Sequence, residues 1–318
     1  MKSDSLYSAP AWTADEVRRA FTEGYEIGRA ATARGAVAAY IPELAKADPA
    51  AFGICMMNRE GETLAFGDAD TRFSIQSICK VIVLATSLRL RGFQDTFAHI
   101  MMEPSGDAFN SILKLDTRSD LPFNPMINAG AIETTSLLVQ HTSFSALLEY
   151  ARALCLDPEI TLNEAVYASE SQTGYRNRAI AYLLKSKGVM EADPEQTVDL
   201  YFRLCSLSVT ARSLAGLGLV LANNGIDPTT GKRLIDPEHV RTIQSIMFTC
   251  GMYDYSGKFS VQVGVPAKSG VGGGIVCATK GPMGIGLYGP ALDAFGNSCG
   301  AVKAMVHISH ALRLHTFE

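Results

Sequence analysis

Across residues 14–35 apolar positions recur at helical spacing behind Thr13, a candidate N-cap, and predict an opening helix. From Phe52 the pattern changes. Residues 51–58 (AFGICMMN) and 62–66 (ETLAF) flank Arg59-Glu60-Gly61 and predict a hairpin with glycine in its turn. Residues 73–77 then lead into 80–89, where VIVLATSL is apolar on nearly every side, as in a helix buried all round. From about Asp107 to Asn224 the chain reads as mostly helices joined by polar turns, with Gly225 closing the last. After Tyr253 short strands are predicted at 259–265, 273–279 and 283–288, with Lys280-Gly281-Pro282 as the turn between the second and third. A final amphipathic helix covers about 300–314.

Strands at both ends and helices between them predict an α/β (α+β) fold, an antiparallel sheet flanked by the first and last helices plus a mainly helical lobe. The whole chain, 1–318, is read as one unit in which 1–95 and 245–318 form the α/β lobe and 96–244 the helical lobe. The groove between such lobes is where a ligand site is expected. No repeat, low-complexity tract or interdomain linker is visible.

Composition narrows the classes. With 47% hydrophobic and 19% charged residues, the chain has ample material for a core, which excludes disordered and fibrous architectures. The 28 Lys+Arg against 32 Asp+Glu lie in no long runs, so nucleic acid and membrane surfaces are not expected partners. The apolar stretches 81–88 and 214–222 are far short of the roughly 20 residues that cross a bilayer. The opening MKSDSLYSAPAW has no apolar core of the kind a secretion signal carries, so a cytoplasmic location is expected. Seven scattered cysteines, none spaced as CxxC, predict neither a disulfide frame nor a zinc site.

Three motifs resemble chemistry without carrying it. Residues 225–233 (GIDPTTGKR) have five residues between the glycines, where a phosphate loop has four, and Arg233 where magnesium needs Ser or Thr; they read as a surface turn. The GVGGG of 270–274 fails as GxGxxG at Ile275 and precedes a strand instead of following one. His307 and His310 lack an acid in zincin spacing, so a packed or solvated helix face is expected and no metal site.

Ser77-Ile78-Cys79-Lys80 is different. In this S-x-x-K tetrad, i and i+3 share a helix face, so the Lys80 amine can reach the Ser77 hydroxyl. Serine is a poor nucleophile until a base takes its proton, and lysine can do so only when neutral, which burial beneath the apolar run would favour. A second tetrad, Ser111-Ile112-Leu113-Lys114, sits in polar context and reads as chance. Ser77 gains weight from Lys268-Ser269-Gly270, which follows the helical block in the order expected for serine acyl-transfer enzymes of the penicillin-binding type. There Lys268 can help keep Lys80 neutral, and the Val271 amide, with that of Ser77, can form an oxyanion hole.

The blocks YIPELAK (40–46), FSIQSICK (73–80), EPSGDAFN (103–110), NPMINAGAI (124–132), SESQTGYRNRA (169–179), YFRLCSLSVT (201–210), CGMYDYSG (250–257) and GVPAKSGVGGGI (264–275) resemble the serine-dependent glutaminase family, over about residues 20–312. The resemblance implies a β-lactamase-like fold, hydrolysis of L-glutamine to L-glutamate and ammonia, no metal or organic cofactor, and a homotetramer or dimer. Lacking an ankyrin-bearing extension, the chain is similar to the compact bacterial form. On the matching positions Ser77 is the implied nucleophile, Lys80 its base and Tyr253 the proton relay to ammonia. Asn128, Glu170, Asn177 and Tyr201 are the implied substrate contacts, with Tyr40 an additional one, and Val271 offers its backbone N–H to the carbonyl oxygen. The residue chemistry agrees with those roles: Glu170 suits an ammonium, and Asn128 and Asn177 can donate to a carboxylate. No chemical role is assigned to Glu103-Pro104-Ser105-Gly106. The weighed alternatives are another serine hydrolase of the β-lactamase or peptidase type, and an inactive glutamine-binding protein.

Overall fold

The computed structural model describes residues 12–105 and 120–318. Ser111 and Lys114 of the second tetrad, and Gly106, lie outside the described residues. Thr13 caps α1 (Ala14–Ala31) in a reciprocal box, accepting from the Glu16 N–H while the Glu16 carboxylate accepts from the Thr13 N–H at 2.8 Å. The predicted hairpin is β1 (Gly53–Asn58) and β2 (Thr63–Gly67), with Gly61 at φ +87° in its turn. After β3 (Phe73–Ser74) comes α2 (Cys79–His99), buried continuously from Cys79 to Leu88 and interrupted at Gly92, whose φ of +79° and ψ of 172° are not helical.

The middle of the chain supplies α3 (Asn128–Ser136), α4 (Phe144–Leu154), β4 (Thr161–Leu162), α5 (Glu164–Thr173), α6 (Tyr175–Ser186), α7 (Pro194–Cys205), β5 (Leu207–Val209) and α8 (Ala211–Ala222). It ends with α9 (Pro237–Cys250), α10 (Ser256–Gln262), β6 (Ala267–Ser269), β7 (Gly274–Thr279), β8 (Met283–Tyr288) and α11 (Cys299–Leu312). Among the described residues no helix is long and apolar enough to cross a membrane.

Five strands form one sheet in the order β2-β1-β8-β7-β6, every neighbouring pair antiparallel. Along β7 alternate residues enter different cores. Ile275 and Cys277 pack with α1 and α11, whereas Val276 and Ala278 pack with α8 and the helices beyond it. Burial on both faces is why this strand reads as a continuous apolar run. The helix α8 falls within 96–244, the segment assigned by pattern to the helical lobe, yet it lies on the sheet. Glycines permit this: a Cβ at Gly284 or Gly286 would meet the α8 backbone at Ala215 or Ala211.

One expected strand is a helix. Residues 259–265 alternate Phe259, Val261, Val263 and Val265, but the chain is helical to Gln262, and Val261 is 77% exposed. Within the helix and its C-cap, Ser256, Phe259 and Val263 are buried, a helical spacing that mimics alternation over so short a run. A second, small sheet, β3-β5-β4, had no pattern to announce it; it ties the approach to Ser77 onto the end of α7.

The histidine pair and the 225–233 segment behave as expected. His307 Nε2 lies 3.0 Å from Glu23 Oε2 between α11 and α1. Asp227 accepts from the side chains of Thr229 and Thr230 within a turn closed by an Ile226–Arg233 bridge.

Glu133 in α3 is unexpected. It is wholly buried, neither carboxylate oxygen has a hydrogen bond among the described residues, and His99 Nδ1 is 3.6 Å away. Burial pushes its acid up from 4.5 to about 8, with Ser136 acting the other way and Glu191 adding to the rise. The folded chain therefore holds a proton that the unfolded chain releases above about pH 4.5, so stability falls as pH climbs from there towards 8, by at most about 1.4 kcal/mol per pH unit. Glu133→Gln should melt above the parent at pH 8 and level with it near pH 4.5; parallel melting curves at both pH values would refute this.

Candidate active site

The geometry around Ser77 is set by two backbones. The Ile75 N–H donates to the Leu207 carbonyl at 2.8 Å, holding a short 3-10 turn (Gln76–Ile78) that runs directly into α2. Gln76 carries a left-handed φ of +49°, a strained conformation for a side chain with a Cβ and one common at functional sites. The loop after β6 fits closely against this turn, since a Cβ at Gly270 or Gly272 would press on the carbonyls of Ile75 or Ser74. The result is a buried Ser77 beside Val271.

Lys80, one turn on, is 1% exposed. Its amine donates to the Met126 carbonyl at 3.1 Å and to Asn128 Oδ1 at 2.8 Å. No hydrogen bond joins it to Ser77 among the described residues. Burial draws its ammonium down from 10.5 to about 8, while the Cys205 and Cys79 thiols and Glu170 act in the opposite direction. A lysine can only donate to Asn128 Oδ1, which orients that amide. Asn128 Nδ2 then donates to Asn177 Oδ1 at 2.9 Å, leaving the Asn177 NH2 to face the pocket.

Lys268, on β6, is also wholly buried, and donates to the carbonyls of Gly251 (3.1 Å) and Ser269 (2.6 Å). Burial first, and the charge of Lys80 second, push its ammonium well below the usual lysine range. For Lys80 burial is the leading cause; the two buried ammonium groups repel each other, which disfavours both being charged at once.

Tyr253 sits at φ +55°, and its turn is pinned by Ser256, whose hydroxyl donates to the Tyr253 carbonyl at 2.7 Å and accepts from the Met252 N–H at 3.0 Å. Burial raises its phenol well above 10, and the neighbouring Ser77 and Ser269 side chains oppose the rise. Lys268 Nζ lies 4.4 Å from the centre of its ring.

A pocket of about 110 Å3 gathers most of the expected residues: Tyr40, Ser77, Asn128, Glu170, Asn177, Tyr201 and Val271 all line it. Glu170 is buried, and burial pushes its acid up to about 8; the Gln76 amide, 3.4 Å away, and Lys80 pull the other way. Tyr201, from α7, is buried behind it, whereas Tyr40 is 59% exposed at the rim. The Val271 N–H makes no hydrogen bond among the described residues. Tyr253, Lys80 and Lys268 are not among the lining residues; all three are buried. Sequence reasoning missed Gln76, Cys205 and Arg176, which also line the pocket. Gln76 had one available signal, its place beside the nucleophile candidate; the positive φ that turns it towards Glu170 arises only in the folded chain. Among the described residues no group of three or more His, Cys, Asp or Glu could hold a metal.

An antiparallel sheet with helices on both faces, a helical lobe beside it and a Ser-x-x-Lys turn facing a Lys-Ser-Gly strand define a β-lactamase-like α+β protein. The Glutaminase family pattern matches residues 35–317, and the chain belongs to that family. It is 48% identical over 287 residues to Glutaminase 2 of Clostridium perfringens, covering 89% of this chain and 94% of that one. The probable glutaminase ybaS superposes with a TM-score of 0.92 at 35% identity, covering 96% of this chain and 100% of the other. Bacillus subtilis glutaminase YbgJ, in a covalent complex with 5-oxo-L-norleucine formed from 6-diazo-5-oxo-L-norleucine, matches at 0.85 and 34%, over 93% and 98% of the two chains.

Proposed function

We propose that this protein hydrolyses L-glutamine to L-glutamate and ammonia through an ester between Ser77 and the glutamyl group. The observation that carries the reading is the pairing of a buried amine of lowered pKa with a pocket whose buried carboxylate and amide donors suit a free amino acid. A neutral Lys80 has two N–H bonds and one lone pair. Met126 and Asn128 use the two donors, which leaves the lone pair to take the Ser77 proton.

Ser77 Oγ then attacks the side-chain amide carbon, and the oxyanion is met by the Val271 N–H with that of Ser77. A phenol held protonated by burial, Tyr253, passes its proton to the leaving nitrogen and recovers one from the Ser77–Lys80 side. Water cleaves the ester by the reverse sequence. Glu170 binds the ammonium, and Asn177 and Asn128 serve the carboxylate, with Arg176 adding positive charge at the rim. The covalent complex of the Bacillus relative with 5-oxo-L-norleucine supports a reading in which the protein itself supplies the nucleophile. A cytoplasmic homodimer or homotetramer belongs to the same proposal, on the family resemblance.

The test is a coupled assay of ammonia and glutamate on glutamine, asparagine and a chromogenic β-lactam. Stoichiometric ammonia and glutamate from glutamine is the expected result; β-lactam turnover without it would overturn the reading. Glu170→Gln should raise KM for glutamine by about 100-fold or more, since a buried ammonium left unpaired costs about 3–5 kcal/mol, while kcat falls less. An unchanged KM would remove Glu170 from substrate binding.

A further inference from the structure

The glutamyl ester creates a problem of traffic. Once the acyl group is on Ser77, its ammonium and carboxylate ends keep the partners they had in glutamine, so it still fills the pocket through which the amino acid entered. Ammonia must nevertheless leave the same carbon, and water must reach it, before the pocket empties.

A second cavity lies on the far side of Tyr253. It measures about 130 Å3 and is lined by Ser105, Asn124, Met126, Thr249, Tyr253 and Gly257 among others. Among the described residues the two cavities have no lining residue in common. The partition between them is thin: consecutive residues Ile127 and Asn128 face the second cavity and the pocket respectively. Tyr253 completes it, packing with Ile41 and Val271 of the pocket wall, and Met126, which lines the second cavity, accepts from the Lys80 amine through its carbonyl. The group read as handing a proton to ammonia is thus the one that separates the two spaces.

Size and polarity fit small solutes. One water needs about 10–15 Å3 by the same measure, so several fit. Serine, threonine and asparagine side chains line it, and among the described residues its one charged lining residue is an acid, Asp254. We propose that this cavity is a separate port through which ammonia leaves and the deacylating water, or a small primary amine in its place, enters; the proposal rests on the glutamyl-ester reading above. With water, a C–O bond forms to the acyl carbon as the bond to Ser77 Oγ breaks, and the water proton passes by Lys80 to Oγ. With hydroxylamine or propylamine a C–N bond forms, the same ester bond breaks, and the N–H proton takes the same route, giving a γ-glutamyl hydroxamate or propylamide.

Gly257 offers the test. It sits in the first turn of α10 and lines the cavity, and a Cβ there would meet no atom of the described residues within 4 Å, so side chains of increasing size can be placed at its edge. The full-length protein and its Gly257→Ala, Gly257→Leu and Gly257→Trp variants are given saturating glutamine with hydroxylamine or propylamine, and the ratio of amide product to glutamate is measured. The propylamine ratio should fall progressively through the series, by roughly tenfold at tryptophan, with a smaller fall for hydroxylamine. A loosened fold would lower turnover without changing how the ester divides between amines. If Trp does not fold, Leu and Ala carry the same ordering. Ratios unchanged for both amines in folded variants would overturn the port. Absence of any amide from the parent, with no glutamyl mass on quenched protein, would remove the ester itself and the port with it.

Discussion

Ser77→Ala should reduce ammonia release from glutamine by about 10^4-fold or more while glutamine still binds. The size follows from what remains. Alanine leaves the pocket lining and the Val271 amide in place, so ground-state contacts persist, but no oxygen is left to form the ester. Ser77 is buried in a turn whose backbone is held by Leu207 and by the glycine loop after β6, so losing one hydroxyl should not disturb its neighbours. Calorimetry on the variant should return a glutamine affinity within a few-fold of the parent's KM, and mass spectrometry of quenched reactions should show no glutamyl adduct. Ammonia release near the parent rate would sink the assignment.

Lys80→Arg should cost nearly as much, about 10^3- to 10^4-fold in kcat, although it keeps the positive charge and can keep both hydrogen bonds. The reason is the proton. Lysine drawn down to about 8 is uncharged in roughly a tenth of molecules at pH 7, against fewer than about one in a thousand for an ordinary lysine, whereas arginine cannot be deprotonated in a protein. The pH profile supplies a second readout. In the parent, kcat/KM should climb as pH rises through about 8, because Lys80 must lose its proton to act as base and Glu170 must lose its own to bind an ammonium. Both changes favour higher pH, so the limb belongs to the pair. Bound glutamine places an ammonium beside Glu170 and lowers its pKa, so the limb in kcat should reflect Lys80 alone. A flat profile between pH 6 and 9 would contradict the neutral-amine mechanism.

What could be read in the chain followed the range of the interaction involved. Thr13 and Glu16 are three residues apart and cap each other, so the first helix announced itself. The hairpin at Gly61 and the strand Met283–Tyr288 rest on local turns and on β propensity. The run 259–265 failed because four alternating apolar residues satisfy a strand and a short helix alike, and only the exposure of Val261 separates them. The placement of α8 failed for another reason: an apolar helix carries no mark of whether a sheet or other helices will cover it, and here Gly284 and Gly286 drew it onto the sheet.

The candidate site divides the same way. Ser77 and Lys80 are one helical turn apart, and their relation is a property of spacing. Asn128, Glu170, Asn177, Tyr201 and Tyr253 are scattered over more than a hundred residues, and only the resemblance of whole blocks to a known family connected them. Their chemistry depends on distances that no spacing encodes. The Lys80–Asn128–Asn177 chain orients two amides, and burial moves Lys80 and Glu170 from opposite sides to the same region near 8. Taken alone, then, the order of residues determined the elements held by local turns and caps, the Ser-x-x-Lys turn and the family. The tertiary structure decided which groups are stripped of water together, because desolvation and hydrogen-bond direction exist only once distant segments have closed around one another.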